Sequence, residues 1–261
     1  MRPRIARMVI GASTTGLLAV TGVTALPGTA ATPAAAATIH PGSEVNFGGI
    51  SCESGAVLRQ GATVYLAIPA SCGGIDLGKT QDGCVEPVTP VGIPVSIQGA
   101  RYNGRLIYNS FSQMQKTGIR SANECYYNDL ALVRVDRRDR SRVTAAIPGT
   151  DGPRQAPCSM PSSGTALRLG TASGKAGATH NAGWATDVSS MAMLKTADAG
   201  APVTVGDKLF GMLTVLPVGP IPDVPLMETP GAVYNLAKAI KLLRALPRFR
   251  HVRLVRAGDR V

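Results

Sequence analysis

The sequence predicts an all-β fold with one helix near the C-terminus. From about residue 45 onward, the chain divides into short runs rich in Val, Leu, Ile and Tyr, each bounded by Gly, Pro, Asn or Asp. The 30 glycines and 19 prolines provide the turns that a strand-rich chain needs. Because the runs follow one another at short and regular intervals, they favour a sandwich or barrel over alternating strands and helices.

Examples of the predicted strands are residues 56–59, 63–68, 91–98, 130–135, 165–169 and 209–215. The helix is predicted after Pro230, where apolar residues recur at three- and four-residue steps and basic residues fall on the other side. The apolar residues are Tyr234, Leu236, Ala237, Ile240 and Leu243. Pro247 ends this helix because proline lacks the N–H that a helical hydrogen bond requires.

Residues 1–37 predict a secretory signal peptide. Three arginines near the start are followed by a mostly small and apolar stretch over residues 8–26, and small residues over 30–38 offer cleavage sites. The alternative is an uncleaved membrane anchor, but serine, threonine and glycine dilute the segment below a good spanning helix. We therefore expect an exported protein, secreted or associated with the cell envelope.

The net charge of +11 is concentrated near the C-terminus. Residues 238–261 contain eight Lys and Arg residues against one aspartate, whereas residues 38–237 contain acidic and basic residues in nearly equal number. A nucleic-acid-binding groove in the domain is therefore not expected. Residues 247–261 alternate basic with apolar side chains and predict a basic tail, which is either a contact for an anionic envelope surface or a solvated terminus.

Five cysteines are present in a chain that is predicted to reach an oxidising compartment, where cysteines pair. Because the number is odd, at most two bridges form within the chain. The cysteine and histidine spacings are not typical of zinc sites, and His40, His180 and His251 lie far apart. We expect neither a metal nor a cofactor.

Three short segments are the candidates for chemistry. Residues 63–72 form a hydrophobic run that ends in Pro-Ala-Ser-Cys, with Cys52 upstream, and Asp129 lies in Asn-Asp-Leu-Ala-Leu-Val-Arg-Val. The third segment is Ala-Asp-Ala-Gly-Ala-Pro-Val at residues 197–203, followed by a glycine-containing run. In this order they resemble the three catalytic landmarks of the trypsin/chymotrypsin-like serine peptidases, in particular exported members of actinomycete type.

The resemblance covers about residues 45–245. It implies two six-stranded antiparallel β-barrels with a C-terminal helix, in a peptidase-homology domain that we place at residues 38–246. It also implies that the catalytic residues of the family meet in a crevice between the two barrels.

The chain departs from the family at two of the three catalytic positions. Ser71 stands where the family has the histidine, Asp129 matches the aspartate, and Ala199 stands at the serine nucleophile. A methyl group cannot attack a carbonyl, and a serine hydroxyl is not basic enough near neutral pH to act as a general base. Asp129 is then a buried carboxylate that needs donors, which Ser71 or backbone N–H groups can supply.

The resemblance assigns further roles around the nucleophile position. The two donors of the oxyanion hole would be the backbone N–H groups of Ala197 and Ala199, and the first of these positions is normally glycine. Asp198, Gly200 and Pro202 match structural residues of the family. In the family, the carboxylate at the Asp198 position is buried and pairs with a cation, either the freed N-terminus or an internal arginine.

The resemblance also implies a disulfide between Cys52 and Cys72. For a second bridge we expect Cys84 with Cys125, which leaves Cys158 over. Cys158 is then either buried and inert or paired with another chain.

These features predict an exported non-catalytic homologue of the serine peptidases that binds an unidentified protein or peptide. One alternative is an active hydrolase with a relocated nucleophile, for which Ser189 or Ser190 with His180 as the base are the candidates. A second alternative is an envelope-attachment module that acts through residues 247–261.

Overall fold

A computed structural model describes residues 38–73, 82–119, 121–190, 196–215 and 231–261. They belong to a compact unit that spans Ala36–Val261. The predicted signal peptide lies outside the described residues. No helix in the part of the chain that the structure describes is long and apolar enough to cross a membrane.

In the part of the chain that the structure describes, fourteen strands make up most of the fold. In chain order they are β1 (Glu44–Phe47), β2 (Ile50–Glu53), β3 (Ala56–Gln60), β4 (Thr63–Ile68), β5 (Pro94–Ile97), β6 (Gly104–Asn109), β7 (Ala131–Arg134), β8 (Ala166–Leu169), β9 (Ala172–His180), β10 (Ala185–Ser190), β11 (Pro202–Val205), β12 (Lys208–Val215), β13 (Gly231–Asn235) and β14 (Arg253–Leu254). Three helices accompany them: α1 (Ser110–Thr117), α2 (Ala122–Tyr127) and α3 (Leu236–Ala245).

The strands form two antiparallel sheets. The first has eight strands in the order β14-β3-β4-β7-β6-β5-β1-β2, and the second is a closed barrel in the order β10-β13-β12-β11-β8-β9. The predicted all-β class and the C-terminal helix are confirmed. The first sheet has eight strands rather than the predicted six, with the short hairpin β1–β2 at one edge and the C-terminal strand β14 at the other.

Helix α3 begins two residues after the start of the apolar pattern. Tyr234 belongs to β13, and the side chain of Asn235 accepts a hydrogen bond from the N–H of Lys238, which caps the first turn of the helix. One face of helix α3 is buried and packs against the hydrophobic core. The residues of this face are Leu236, Ala239, Ile240 and Leu243.

The C-terminal segment 247–261 is part of the fold rather than a separate tail. Phe249, Val252 and Val255 are buried, and Arg253 and Leu254 pair with β3. The apolar side chains that suggested a lipid-facing surface are therefore packed against the first sheet. Basic and apolar residues alternate along this segment, so the apolar side chains face the core and the basic side chains between them face the solvent.

Both expected disulfides are present. Cys52 is joined to Cys72 and Cys84 to Cys125, with Cα–Cα distances of 6.2 and 5.1 Å. Cys158 is an exposed free thiol, so the expectation of a buried, inert residue is wrong. The first bridge fixes the end of β2 to the turn that follows β4, which is where Ser71 lies.

Candidate functional site

Ser71 and Asp129 lie together because their strands are neighbours. Strand β4 pairs with β7 so that Ile68 faces Ala131. Ser71 lies in the 3₁₀ turn just after β4, and Asp129 lies between α2 and β7. The Ser71 N–H donates to Asp129 Oδ1 at 2.7 Å, and Ser71 Oγ donates to Asp129 Oδ2 at 2.8 Å.

The Asp129 carboxyl group is buried, with only 3% of the residue exposed. Burial raises its pKa, and this effect is opposed by the hydrogen bonds that stabilise the charged form. The donors are the backbone and hydroxyl of Ser71, the backbone N–H of Ala70 and the hydroxyl of Thr214. Both carboxylate oxygens are thereby engaged by groups other than an imidazole.

Thr214 is a site residue that the sequence did not reveal. Its Oγ1 lies 3.4 Å from Asp129 Oδ2, so strand β12 of the closed barrel contacts an aspartate that lies just before β7 of the first sheet. In the sequence, Thr214 could be singled out only by its place in the predicted strand that follows residues 197–203. A buried threonine in a strand is so common that this signal alone does not single it out.

Ala199 lies at the junction of the two sheets. Its half-buried side chain packs against the core cluster of the first sheet and against that of the closed barrel. Its carbonyl accepts a hydrogen bond from the Glu53 N–H at 2.8 Å, and the next residue, Gly200, donates to Leu213 O at 2.7 Å. Glu53 follows Cys52, whose disulfide partner Cys72 is next to Ser71. Leu213 precedes Thr214, which contacts Asp129. Two short connections therefore join Ala199 to the Ser71–Asp129 pair.

The peptide around Ala197 adopts a 3₁₀ turn, Thr196–Asp198. Among the residues that the structure describes, Ala182 is the one non-glycine with a positive φ, so Ala197 does not adopt the left-handed region that a glycine would allow. The side chain of Ala197 is exposed.

Asp198 has an acidic neighbour. Burial and the negative charges of Asp198 and Glu44 raise the pKa of Glu53 from 4.5 to about 7. Asp198 itself is half-buried. The family resemblance implied a cation at Asp198, and the structure adds a carboxyl group to the same surroundings.

Replacing Glu53 with glutamine should therefore stabilise the protein most at higher pH. Because the folded pKa of Glu53 exceeds its unfolded value, its destabilising effect is absent below about pH 4.5 and grows up to about pH 7. The unfolding temperature of Glu53→Gln minus that of the wild type should be larger at about pH 8 than at about pH 5. The exposed Asp151→Asn variant controls for the loss of one negative charge, and a difference for Glu53→Gln that falls with pH would contradict the assignment.

The residues proposed for a relocated catalytic centre are not brought together. His180 Nε2 lies 2.7 Å from Asp187 Oδ2, but both side chains are exposed. His180 pairs with Ala185 across β9 and β10, whereas Ser189 and Ser190 pair with Lys175 and Gly174. Since a strand rises about 3.3 Å per residue, Ser189 lies about 13 Å along β10 from the residue opposite His180.

One group of potential metal ligands occurs among the described residues. Asp82, Cys84 and Cys125 place a ligand atom each within 4.8 Å of one another. The two sulfur atoms are joined in a disulfide, so neither is available as a thiolate ligand. This group does not have the chemistry of a metal site.

The sequence matches no known family model and no curated protein. Solved structures do match. A glutamic-acid-specific serine protease is similar with a TM-score of 0.50 and 15% identity, over 78% of this chain and 97% of that one. A Nocardiopsis protease has a TM-score of 0.49 and 14% identity, and Thermobifida fusca Protease A has 0.47 and 16%, each over 83% of this chain and 98% of the other. With one closed six-stranded barrel beside a second antiparallel sheet, the chain has the fold of the trypsin/chymotrypsin-like serine proteases.

Proposed function

We propose that this chain is an exported, non-catalytic homologue of the chymotrypsin-like serine peptidases that binds a protein or peptide. The observation that carries the proposal is the Ser71–Asp129 pair, in which the serine hydroxyl and backbone occupy both carboxylate oxygens. In an active enzyme of this fold, the aspartate instead orients an imidazole that takes a proton from the nucleophile.

The chemistry of the other positions supports the same conclusion. Ala199, at the junction of the two sheets, has only a methyl group, which cannot form an acyl intermediate. Ser71 has no basic nitrogen, so nothing at this position accepts a proton at neutral pH. A site that lacks both nucleophile and base retains at most the binding surface of a peptidase.

The oxyanion-hole position is also changed, because Ala197 stands where the family normally has glycine. Transition-state stabilisation needs two N–H groups aimed at a developing oxyanion, and the loss of one such donor lowers the rate about 100- to 1000-fold. Without a nucleophile and a base, N–H donors at Ala197 and Ala199 would have no acyl transfer to accelerate.

Export is proposed from the order of charge, apolar stretch and small residues in segment 1–37. Two disulfides within the domain are consistent with folding in an oxidising compartment. A stable, bridged scaffold with an unreactive crevice suits a protein that recognises a partner outside the cell.

Purified protein of residues 38–261 should not hydrolyse casein or small activated esters above the rate of buffer alone. The reason is the absence of a nucleophile and base at Ala199 and Ser71. The measurement is release of peptides and of chromogenic alcohol, with an active bacterial serine protease as the positive control. Turnover by the wild type that disappears in Ser189→Ala or His180→Ala would instead identify a relocated catalytic centre.

A further inference from the structure

An arginine-rich pocket lies at the end of strand β7 that is farthest from Asp129. Its volume is about 540 Å³, which falls within the usual range for small-ligand sites. Its lining residues are Ala62, Thr63, Val64, Asn103, Gly104, Arg105, Arg134, Val135, Asp136, Arg137, Arg138 and Arg140. Five residues at about 3.3 Å each place Arg134 about 17 Å along the chain from Asp129, so the pocket is separate from the crevice.

The lining contains five arginines and one acidic residue. That residue, Asp136, receives hydrogen bonds from Arg138 on both of its carboxylate oxygens, at 2.9 and 3.0 Å. The nearby Asp139 is buried and accepts backbone N–H bonds from Arg101 and Tyr102. Both oxygens of Asp136 are therefore bonded to Arg138, and with five arginines against one aspartate the lining has a formal net charge of +4.

Two of these arginines face each other across paired strands. Arg105 of β6 and Arg134 of β7 are register partners, and both are exposed. Residues directly opposite in an antiparallel pair have Cβ atoms about 5 Å apart, and like charges in this arrangement repel. An anion bound between the two guanidinium groups would convert this repulsion into attraction.

The remaining geometry combines fixed and adaptable donors. Arg140 donates from Nη1 to Ala62 O at 2.9 Å, and Arg105 donates from Nη1 to Gly92 O, so backbone carbonyls hold both side chains in place. Arg134 and Arg137 are exposed and make no side-chain hydrogen bond within the part of the chain that the structure describes. Held donors lower the ordering cost of binding, and free ones can adapt to a ligand.

We propose that this pocket, defined by Arg105, Arg134, Arg137 and Arg140, binds a phosphate-bearing anion with two or more negative charges. Guanidinium groups match phosphate oxygens with paired N–H donors, which a point-like ammonium does not do. The ring of Tyr102 beside the pocket is covered by Arg138 at 3.4 Å and does not offer its covered face to a nucleic-acid base. The geometry thus favours a compact anion over an extended strand.

Tripolyphosphate is the soluble probe, titrated at about 0.15 M ionic strength by calorimetry into the wild type and the double variant Arg134→Gln/Arg137→Gln. We expect one saturable site on the wild type and an affinity at least about tenfold lower in the double variant, because two charged donors are lost. Phosphatidylcholine vesicles that contain phosphatidic acid form a second arm. Co-sedimentation that tripolyphosphate displaces assigns the phosphate to a lipid headgroup, whereas binding of tripolyphosphate alone assigns it to a soluble ligand.

The matched control is Arg154→Gln/Lys175→Gln, which removes two exposed positive charges from the second half of the chain. Its affinity should stay within about twofold of the wild type, since long-range charge contributes little once salt screens it. Unfolding midpoints show that both double variants are folded, and relief of repulsion means that the pocket variant should not be less stable. Equal weakening in the two variants, or no saturable binding to the wild type, would overturn the proposal.

Discussion

Replacing Gly200 with alanine should destabilise the protein by more than about 4 kcal/mol, a loss on the scale of the largest single-residue effects. Gly200 has a φ of +97°, which side-chain-bearing residues rarely adopt. A Cβ there would lie 1.9 Å from Glu53 O and 2.9 Å from Pro69 Cδ, so the backbone of β2 would have to move. Urea unfolding followed by circular dichroism measures the loss.

Gly206→Ala is the matched control for this substitution. Gly206 also has a positive φ, of 58°, but a Cβ there would meet no atom within 4 Å. Only the backbone strain remains, which should cost about 1 kcal/mol. If Gly200→Ala unfolded at the same urea concentration as Gly206→Ala, the close approach of the 197–203 segment to β2 would be wrong.

Removing the disulfides should have the next largest effects on stability. In the chain-entropy model, Cys52→Ala/Cys72→Ala should lose about 3 kcal/mol and Cys84→Ala/Cys125→Ala about 4 kcal/mol, because the second bridge closes the longer loop. The sequence separations are 20 and 41 residues. The free energy of unfolding of each double variant, measured in urea without reductant, tests both the size and the order of the losses.

Cys158→Ala controls for cysteine removal as such. Cys158 is an exposed free thiol, so its replacement should change the free energy of unfolding by less than about 0.5 kcal/mol. Reductant should lower the wild type to the level of a variant without the four bridged cysteines, and it should leave that variant unaffected. A loss for Cys158→Ala as large as for either pair would contradict the observed pairing.

The sequence predicted the fold class and much of the site because both depend on local patterns. Short apolar runs with bounding turn residues predict strands. The order of the segments around Ser71, Asp129 and Ala199 predicted the candidate site residues. The structure shows the contact between Ser71 and Asp129 directly. The pairing of Cys52 with Cys72 needed the family resemblance, because spacing alone does not determine which cysteines meet.

Features that depend on distant contacts were missed or misjudged. Thr214 becomes a donor to Asp129 only because strand β12 passes that residue. Arg105 and Arg134 face each other because of the register of β6 and β7. The sequence alone does not predict that register. Composition alone does not indicate strand β9, because its Gly- and Ala-rich sequence has few of the β-branched and aromatic side chains that favour strands.

The C-terminal segment shows how one pattern supports two structures. Alternating basic and apolar residues over 247–261 suit a membrane surface, and they equally suit a chain that covers the side of a sheet. Pairing of β14 with β3 and burial of Phe249 decide between the two for the apolar side chains. The contact with β3, which lies about 190 residues earlier in the chain, distinguishes a packed segment from a membrane-facing one.

The proposed loss of catalysis is tested most directly by intact-mass analysis after treatment with a fluorophosphonate. The reagent forms one covalent bond with a serine that a neighbouring base activates. The native protein should gain no mass, because alanine and serine stand at positions 199 and 71 and no imidazole reaches Asp129. One adduct on each native molecule, absent after denaturation, would show an activated nucleophile and contradict the proposed function.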